Sequence, residues 1–224
     1  MELKVLFLDI DNTLLDFNAA AEESMKHCFR MFELEYQPEM FFVFQEENNK
    51  IWRKIEKREL KVADLRTIRW QTILKKLGVE ANGAVMEDEF KKSLHESAVP
   101  VDGAMEILPY LCGKYRLCAA SNGPYEQQIN RLQKADMLKY FEHCFVSERM
   151  GVEKPSRTFF ERCFEKLLDV RPEETMMIGD SLTADIAGGR QMGMKTCWYD
   201  REQTGRLREA DFTIQNLQML KEIL

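Results

Sequence analysis

The sequence has no surplus of positive charge: 32 Lys and Arg stand against 38 Asp and Glu, a net charge of −6 over 224 residues. The interval 16–99 carries 14 basic and 16 acidic residues, so neither part of the chain is a basic half. A chain of this charge repels phosphate backbones, and a nucleic-acid polymer is not an expected partner. No apolar run approaches the roughly 18 residues that cross a bilayer. The opening residues Met1, Glu2, Leu3 and Lys4, with the short apolar run behind them, lack the length and small-residue cleavage site of a secretory signal. The expectation is a cytoplasmic protein with no membrane contact, a monomer or a homodimer. Histidine is scarce, and His27, His95 and His143 show no ligand spacing. The six cysteines (Cys28, Cys112, Cys118, Cys144, Cys163, Cys197) form no CxxC pair, which leaves them as reduced core thiols. Low-complexity tracts and internal repeats are absent too. Gly188 and Gly189 fall within a helix pattern and make no dinucleotide fingerprint.

What is present is a chain with 45% hydrophobic residues, long enough to remove about 70% of its unfolded surface from water. Short apolar runs alternate with helical patterns, the signature of parallel βα units and hence of an α/β fold. Strands are expected at Lys4 to Leu8, Tyr115 to Ala120, Cys144 to Val146, Thr175 to Ile178, Lys195 to Tyr199 and Phe212 to Ile214. Ala104, Ile107, Leu108 and Leu111 keep the i, i+3, i+4, i+7 period of a helix, as do Phe160, Cys163, Phe164 and Leu167. One interval breaks the alternation. Thr13 and Gly103 lie 90 positions apart, against about 2 to 6 residues for an ordinary βα loop. The patterns within it, such as Ala21, Met25, Cys28, Phe32 and Trp70, Ile73, Leu74, Leu77, predict a helical module of about four helices over the carboxyl end of the first strand. The expected organisation is a core from 1–15 and 100–224 and a helical domain from 16–99. The connections near Asp16 and near Pro100 to Gly103 are expected to act as hinges. The mixed-sign run Lys50 to Lys61 reads as a solvated helix face.

Chemistry gathers at the strand exits. The first strand closes on Asp9 and Asp11, which period-two geometry places on one side of the extended chain. Open α/β sheets bind ligands at that carboxyl edge. Two carboxylates so close repel unless a cation sits beside them, and a hard divalent ion suits oxygen ligands. Ser121 and Asn122 with a turn glycine end the second strand, Lys154 and Pro155 precede a helix start, and Asp180, Ser181 and Asp185 follow the fourth strand. Taken singly, Ser121 and Ser181 read as caps, Asp185 as a partner of a helix dipole and Lys154 as a loop cation. Together they set four carboxylates against one lysine on one rim. Bound Mg²⁺ makes that tolerable, and its preference for phosphate oxygens suggests a phosphoryl group as the third party. An Asp can act as nucleophile towards phosphorus, and a second carboxyl can protonate the leaving alcohol.

These residues resemble the phosphatase branch of the haloacid dehalogenase superfamily. Its four motifs match as DxDxT (Asp9, Asp11, Thr13), Ser121, Lys154 and GDSxxxD (Gly179, Asp180, Ser181, Asp185). The resemblance implies a Rossmann-like parallel sheet in a three-layer α/β/α core with an inserted all-helical cap. It implies Asp9 as nucleophile, Asp11 as general acid and base, and Ser121, Asn122 and Lys154 as phosphate-binding residues. It further implies Mg²⁺ held by the carboxylates of Asp9 and Asp180 and the carbonyl of Asp11, with Thr13, Ser181 and Asp185 in support. The runs LDIDNTLLDFNAAAEES, SNGPYEQQINRLQKADMLKYFEHCFVSERMGVEKP and IGDSLTADIAGGRQMGMKTCWYD are also similar to bacterial 5′-nucleotidases acting on noncanonical pyrimidine nucleotides. A small phosphate ester such as a nucleoside monophosphate is then the expected partner. The aromatics Phe41, Phe42, Phe44, Trp52 and Trp70 of the inserted module are candidates to stack a base, or else ordinary core. A sugar-phosphate phosphatase or phosphomutase and a phosphate-binding regulatory module remain as alternatives. Asp11 disfavours a dehalogenase, which needs no metal and no second aspartate.

Overall fold

The first apolar run forms β1 (Val5–Leu8), buried along its whole length, as a central strand covered on both faces must be. The structure, a computed structural model, describes residues 2–206 and 209–224, so Met1 of the opening segment lies outside the described residues. The chain divides into two compact units, Met1–Asp16 with Ala98–Leu224, and Phe17–Ser97. The second consists of α1 (Phe17–Met31), α2 (Glu39–Glu56), α3 (Leu65–Leu77) and α4 (Gly83–Glu96), joined by short turns. The first unit continues through α5 (Ala104–Cys112), β2 (Arg116–Ser121), α6 (Tyr125–Lys134), β3 (His143–Val146) and α7 (Ser147–Met150). It closes with α8 (Arg157–Phe164), β4 (Thr175–Gly179), α9 (Ala187–Met192), β5 (Lys195–Tyr199), β6 (Phe212–Ile214) and α10 (Leu220–Ile223).

All six strands are parallel, in the order β3-β2-β1-β4-β5-β6. Alternation along β1 sends Leu6 and Leu8 to one face and Val5 and Phe7 to the other. The first face packs on Ile107, Leu108 and Leu111 of α5, the second on Phe159, Phe160 and Cys163 of α8. The expected α/β/α layering is therefore present. Leu8 stands level with Ala119 of β2 and Ile178 of β4, so these three strands end side by side. Where the chain leaves and re-enters this unit, Asp16 N donates to Val99 O (2.7 Å) and Val101 N to Leu14 O (2.9 Å). The two crossings run next to one another.

The second unit buries its own core. Phe29, Phe44, Trp70 and Phe90 pack ring against ring, with centroids 5.3 to 6.4 Å apart. Arg69 and Glu87, both buried, pair at 2.6 Å beside them. Three expectations need correcting. The run from Lys50 to Lys61 is not a uniformly solvated face, because α2 stops at Glu56 and Ile51 and Ile55 are buried against Leu65. Pro155 does not begin a helix; α8 starts two residues later, at Arg157. Cys112 is exposed and Cys144 half-buried, so four of the six thiols are core residues, and all six are free. Among the described residues no helix is long and apolar enough to cross a membrane.

Candidate active site

The level ends of β1, β2 and β4 bring residues far apart in sequence to one edge of the sheet. Beyond β1 the chain folds into a tight turn in which Leu14 N and Leu15 N both donate to Ile10 O, at 2.9 and 2.8 Å. Asn12 takes the left-handed conformation this needs, with φ 59°. The turn buries Thr13, whose hydroxyl accepts from Asp180 N at 3.1 Å. Trp198 Nε1 donates to Asp180 O at 2.9 Å, so the backbone of Asp180 is fixed from two sides.

Lys154 occupies the centre of the site, buried to 1% exposure. Its three ammonium hydrogens go to Asp9 Oδ1 (2.7 Å), Asp185 Oδ1 (2.6 Å) and Ala120 O (2.6 Å). The other oxygen of Asp185 accepts from Ser181 N at 3.0 Å. Asp185 reaches this position because residues Leu182–Ile186 form a π-helical turn, with Asp185 N and Ile186 N both donating to Ser181 O. Ser181 caps that turn, its Oγ accepting from Ala184 N at 3.0 Å. Carboxylate oxygens of Asp9, Asp180 and Asp185 lie within 4.8 Å of one another.

The side chains of Asn122 and Asp11 are held by partners distant in sequence. The Asn122 side chain is committed to the backbone of Lys154, donating to its O at 2.9 Å and accepting from its N at 2.8 Å. It locates the Lys154 loop. The Asp11 carboxylate faces α6. There Oδ1 accepts from Arg131 Nη1 at 2.5 Å and Oδ2 from Gln128 Nε2 at 2.6 Å. Gln128 Nε2 also donates to Ser121 Oγ at 2.9 Å, which joins Asp11 to Ser121. Neither Gln128 nor Arg131 figured in the reading of the sequence, although both are buried. The signal was there: with Leu132 they occupy i, i+3 and i+4 on one helical stripe, where polar residues have no solvent to face.

Electrostatics follow from this crowding. Burial pushes the Asp9 carboxyl up to about 7, with Asp185 adding to the rise and Lys154 opposing it. Burial, then Asp9 and Asp185, raises Asp180 well above the usual carboxylate range. Burial works against the Lys154 ammonium, yet Asp185 and Asp9 outweigh it and hold the charge more firmly than in water. Ionised together, the four carboxylates outnumber the two buried cations, Lys154 and Arg131, by two charges, which one divalent ion neutralises. The donors are all hard carboxylate oxygens, so the residues fit Mg²⁺.

The aromatics of the helical unit divide differently from a stacking platform. Phe41, Phe44 and Trp70 are enclosed in that unit's core, Trp52 is half-buried and Phe42 is 70% exposed.

The profile of the haloacid dehalogenase-like hydrolases matches residues 3–193. The Bacillus subtilis HAD-hydrolase YfnB is 31% identical over 99% of this chain and 95% of its own length. Its magnesium-bound crystal structure, described as revealing interdomain movement, superposes with a TM-score of 0.94 and covers 100% of this chain and 99% of that one. The Streptococcus pneumoniae pyrimidine 5′-nucleotidase PynA is 30% identical over 89% of this chain and 85% of its own length. The L-2-haloacid dehalogenase of Xanthobacter autotrophicus shares the fold, with a TM-score of 0.76 at 16% identity and 99% and 98% of the two chains covered.

Proposed function

The chain belongs to the haloacid dehalogenase-like hydrolases, and on that premise we propose that it is a Mg²⁺-dependent phosphomonoesterase that hydrolyses nucleoside 5′-monophosphates through a phosphoryl group carried on Asp9. The observation that carries this reading is the meeting of Asp9, Asp180 and Asp185 around buried Lys154, with a second carboxylate, Asp11, two residues beyond the first. A nucleotide substrate is supported by the similarity to PynA, a pyrimidine 5′-nucleotidase.

The roles follow from the chemistry of each group. Lys154 orients the Asp9 carboxylate through Oδ1, leaving Oδ2 to attack phosphorus. As the new P–O bond forms, the bond to the nucleoside oxygen breaks, and Asp11 gives that oxygen its proton. Asp11 then takes a proton from a water that attacks the phosphoryl group, releasing phosphate and restoring Asp9. The Ser121 hydroxyl and the Lys154 charge face the non-bridging oxygens throughout. Mg²⁺, held by the carboxylates of Asp9 and Asp180 and the backbone carbonyl of Asp11, would draw charge from the transferring group. Asp185 keeps Lys154 in place, and Asn122 keeps its backbone there.

The test is phosphate release from cytidine, uridine and thymidine 5′-monophosphates and from sugar phosphates, with Mg²⁺ and with EDTA. The expected outcome is release that needs Mg²⁺ and is fastest with the nucleotides. Absence of release from every ester would overturn the reading, and preference for a sugar phosphate would overturn its substrate.

A further inference from the structure

We infer that Gln128 and Arg131 are positioning residues for phosphoryl transfer, holding the Asp11 carboxylate and aiming the Ser121 hydroxyl from a single turn of α6. The inference rests on the reading of Asp11 as the group that handles the leaving-group proton.

Both side chains are almost wholly enclosed, Gln128 at 1% and Arg131 at 0% exposure. Burying a charge and an amide is costly unless they are paired, and both side chains are committed to Asp11. Separated by three residues, they lie on the same face of the helix. Each oxygen of Asp11 has its own donor there, Oδ1 from Arg131 Nη1 and Oδ2 from Gln128 Nε2. Two donors from different residues fix both the place of the carboxyl group and its rotation about the Cβ–Cγ bond. Arg131 Nη1 also donates to Gln128 Oε1 at 3.2 Å, so the two holding groups brace one another.

The Gln128 amide is oriented by its neighbours. Arg131 Nη1 donates to the amide oxygen Oε1, which turns the NH₂ end to Asp11 Oδ2, and its second hydrogen falls to Ser121 Oγ at 2.9 Å. Ser121, already accepting from Gln128, keeps its own proton to donate, which is the polarity a phosphoryl oxygen requires. Residue 123 leaves room for this. A Cβ built on Gly123 would come 3.2 Å from Gln128 Nε2. The start of α6 is itself tied down, Gly123 N donating to Ser147 Oγ (3.0 Å) and Tyr125 N to Glu148 Oε2 (2.8 Å). The whole network lies on the strand-exit side of one compact unit.

The experiment compares wild type, Asp11→Asn, Arg131→Met, Arg131→Lys and Gln128→Leu on cytidine 5′-monophosphate, whose leaving alkoxide needs a proton, and on p-nitrophenyl phosphate, whose leaving group does not. Arg131→Met should lower kcat on the nucleotide about 100-fold, the usual worth of a positioned acid, and on the aryl ester far less, with KM little changed. Arg131→Lys, which restores one charged donor, should recover part of that loss. Gln128→Leu should show the same leaving-group dependence and also raise KM for both esters, because Ser121 loses its aim. Equal kcat losses on the two esters in these variants, while Asp11→Asn discriminates between them, would overturn the inference and leave the function standing. If wild type hydrolysed neither ester, the proposed function would fall, and a crystal structure of Arg131→Lys or Gln128→Leu would still decide the positioning claim. A displaced or rotated Asp11 carboxyl supports it; an Asp11 that keeps its wild-type rotamer in both variants refutes it.

Discussion

A missing side chain at residue 179 is what admits Asp185 to the lysine. A Cβ there would lie 2.2 Å from Asp185 Oδ2, so Gly179→Ala must push the carboxylate off Ser181 N and disturb its bond to Lys154. Overpacking of this kind costs the fold about 1–3 kcal/mol, whereas a shift of about 1 Å in a reacting constellation costs roughly 100-fold in rate. Gly179→Ala is therefore expected to stay folded by circular dichroism and to lose about 100-fold in kcat; an unaltered kcat would show that Asp185 is dispensable. The same scale explains which residues were legible in the sequence. Asp9, Lys154, Asp180 and Asp185 stood out because strand exits and helix starts mark themselves by abrupt changes from apolar to charged residues. Arg131 did not, because a single arginine on a helix ordinarily faces water, and its partner Asp11 is distant in sequence. The clamp of Asn122 on the backbone of Lys154 was hidden for a similar reason: it spans 32 positions, which no local pattern reports.

Among the elements, the strands were readable to within about a residue at each end, β5 and β6 at both ends; the central ones are buried, nearly continuous apolar runs, whereas β6 is an edge strand with Ile214 alone of its three residues buried. The π-helical turn was not, since it depends on one carbonyl, Ser181 O, accepting from two successive N–H groups. In the helical insert the apolar period was read correctly but the polar insertions were not. Arg69 of α3 and Glu87 of α4 sit inside that unit, with Asn48 of α2 accepting from Arg69 at 3.3 Å. Removing one partner of a buried pair strands the other's charge, at a cost of about 3–5 kcal/mol. Glu87→Leu is expected to lose that much in urea unfolding, and Arg69→Met with Glu87→Leu to lose less than the single change. A double variant as unstable as the sum of the two singles would mean the pair is not coupled.

For the molecule as a whole, the parallel sheet and the long helical insertion followed from spacing alone, because an interval of 90 positions after one strand has no other place in a βα alternation. The strand order did not follow from spacing, yet it makes the site. With β1 between β2 and β4, the exits at Asp9, Ser121 and Asp180 become neighbours. The count of charge across that edge was half legible: the sequence offered four acids and one lysine, and the fold added Arg131. The central claim, that Asp9 carries the phosphoryl group, is tested most directly by acid-quenching the enzyme during turnover of a nucleoside monophosphate labelled with ³²P and mapping the label by peptide. The account predicts label on Asp9 and none in Asp9→Asn, which should not turn over. Label on another residue, or normal turnover by Asp9→Asn, would contradict it.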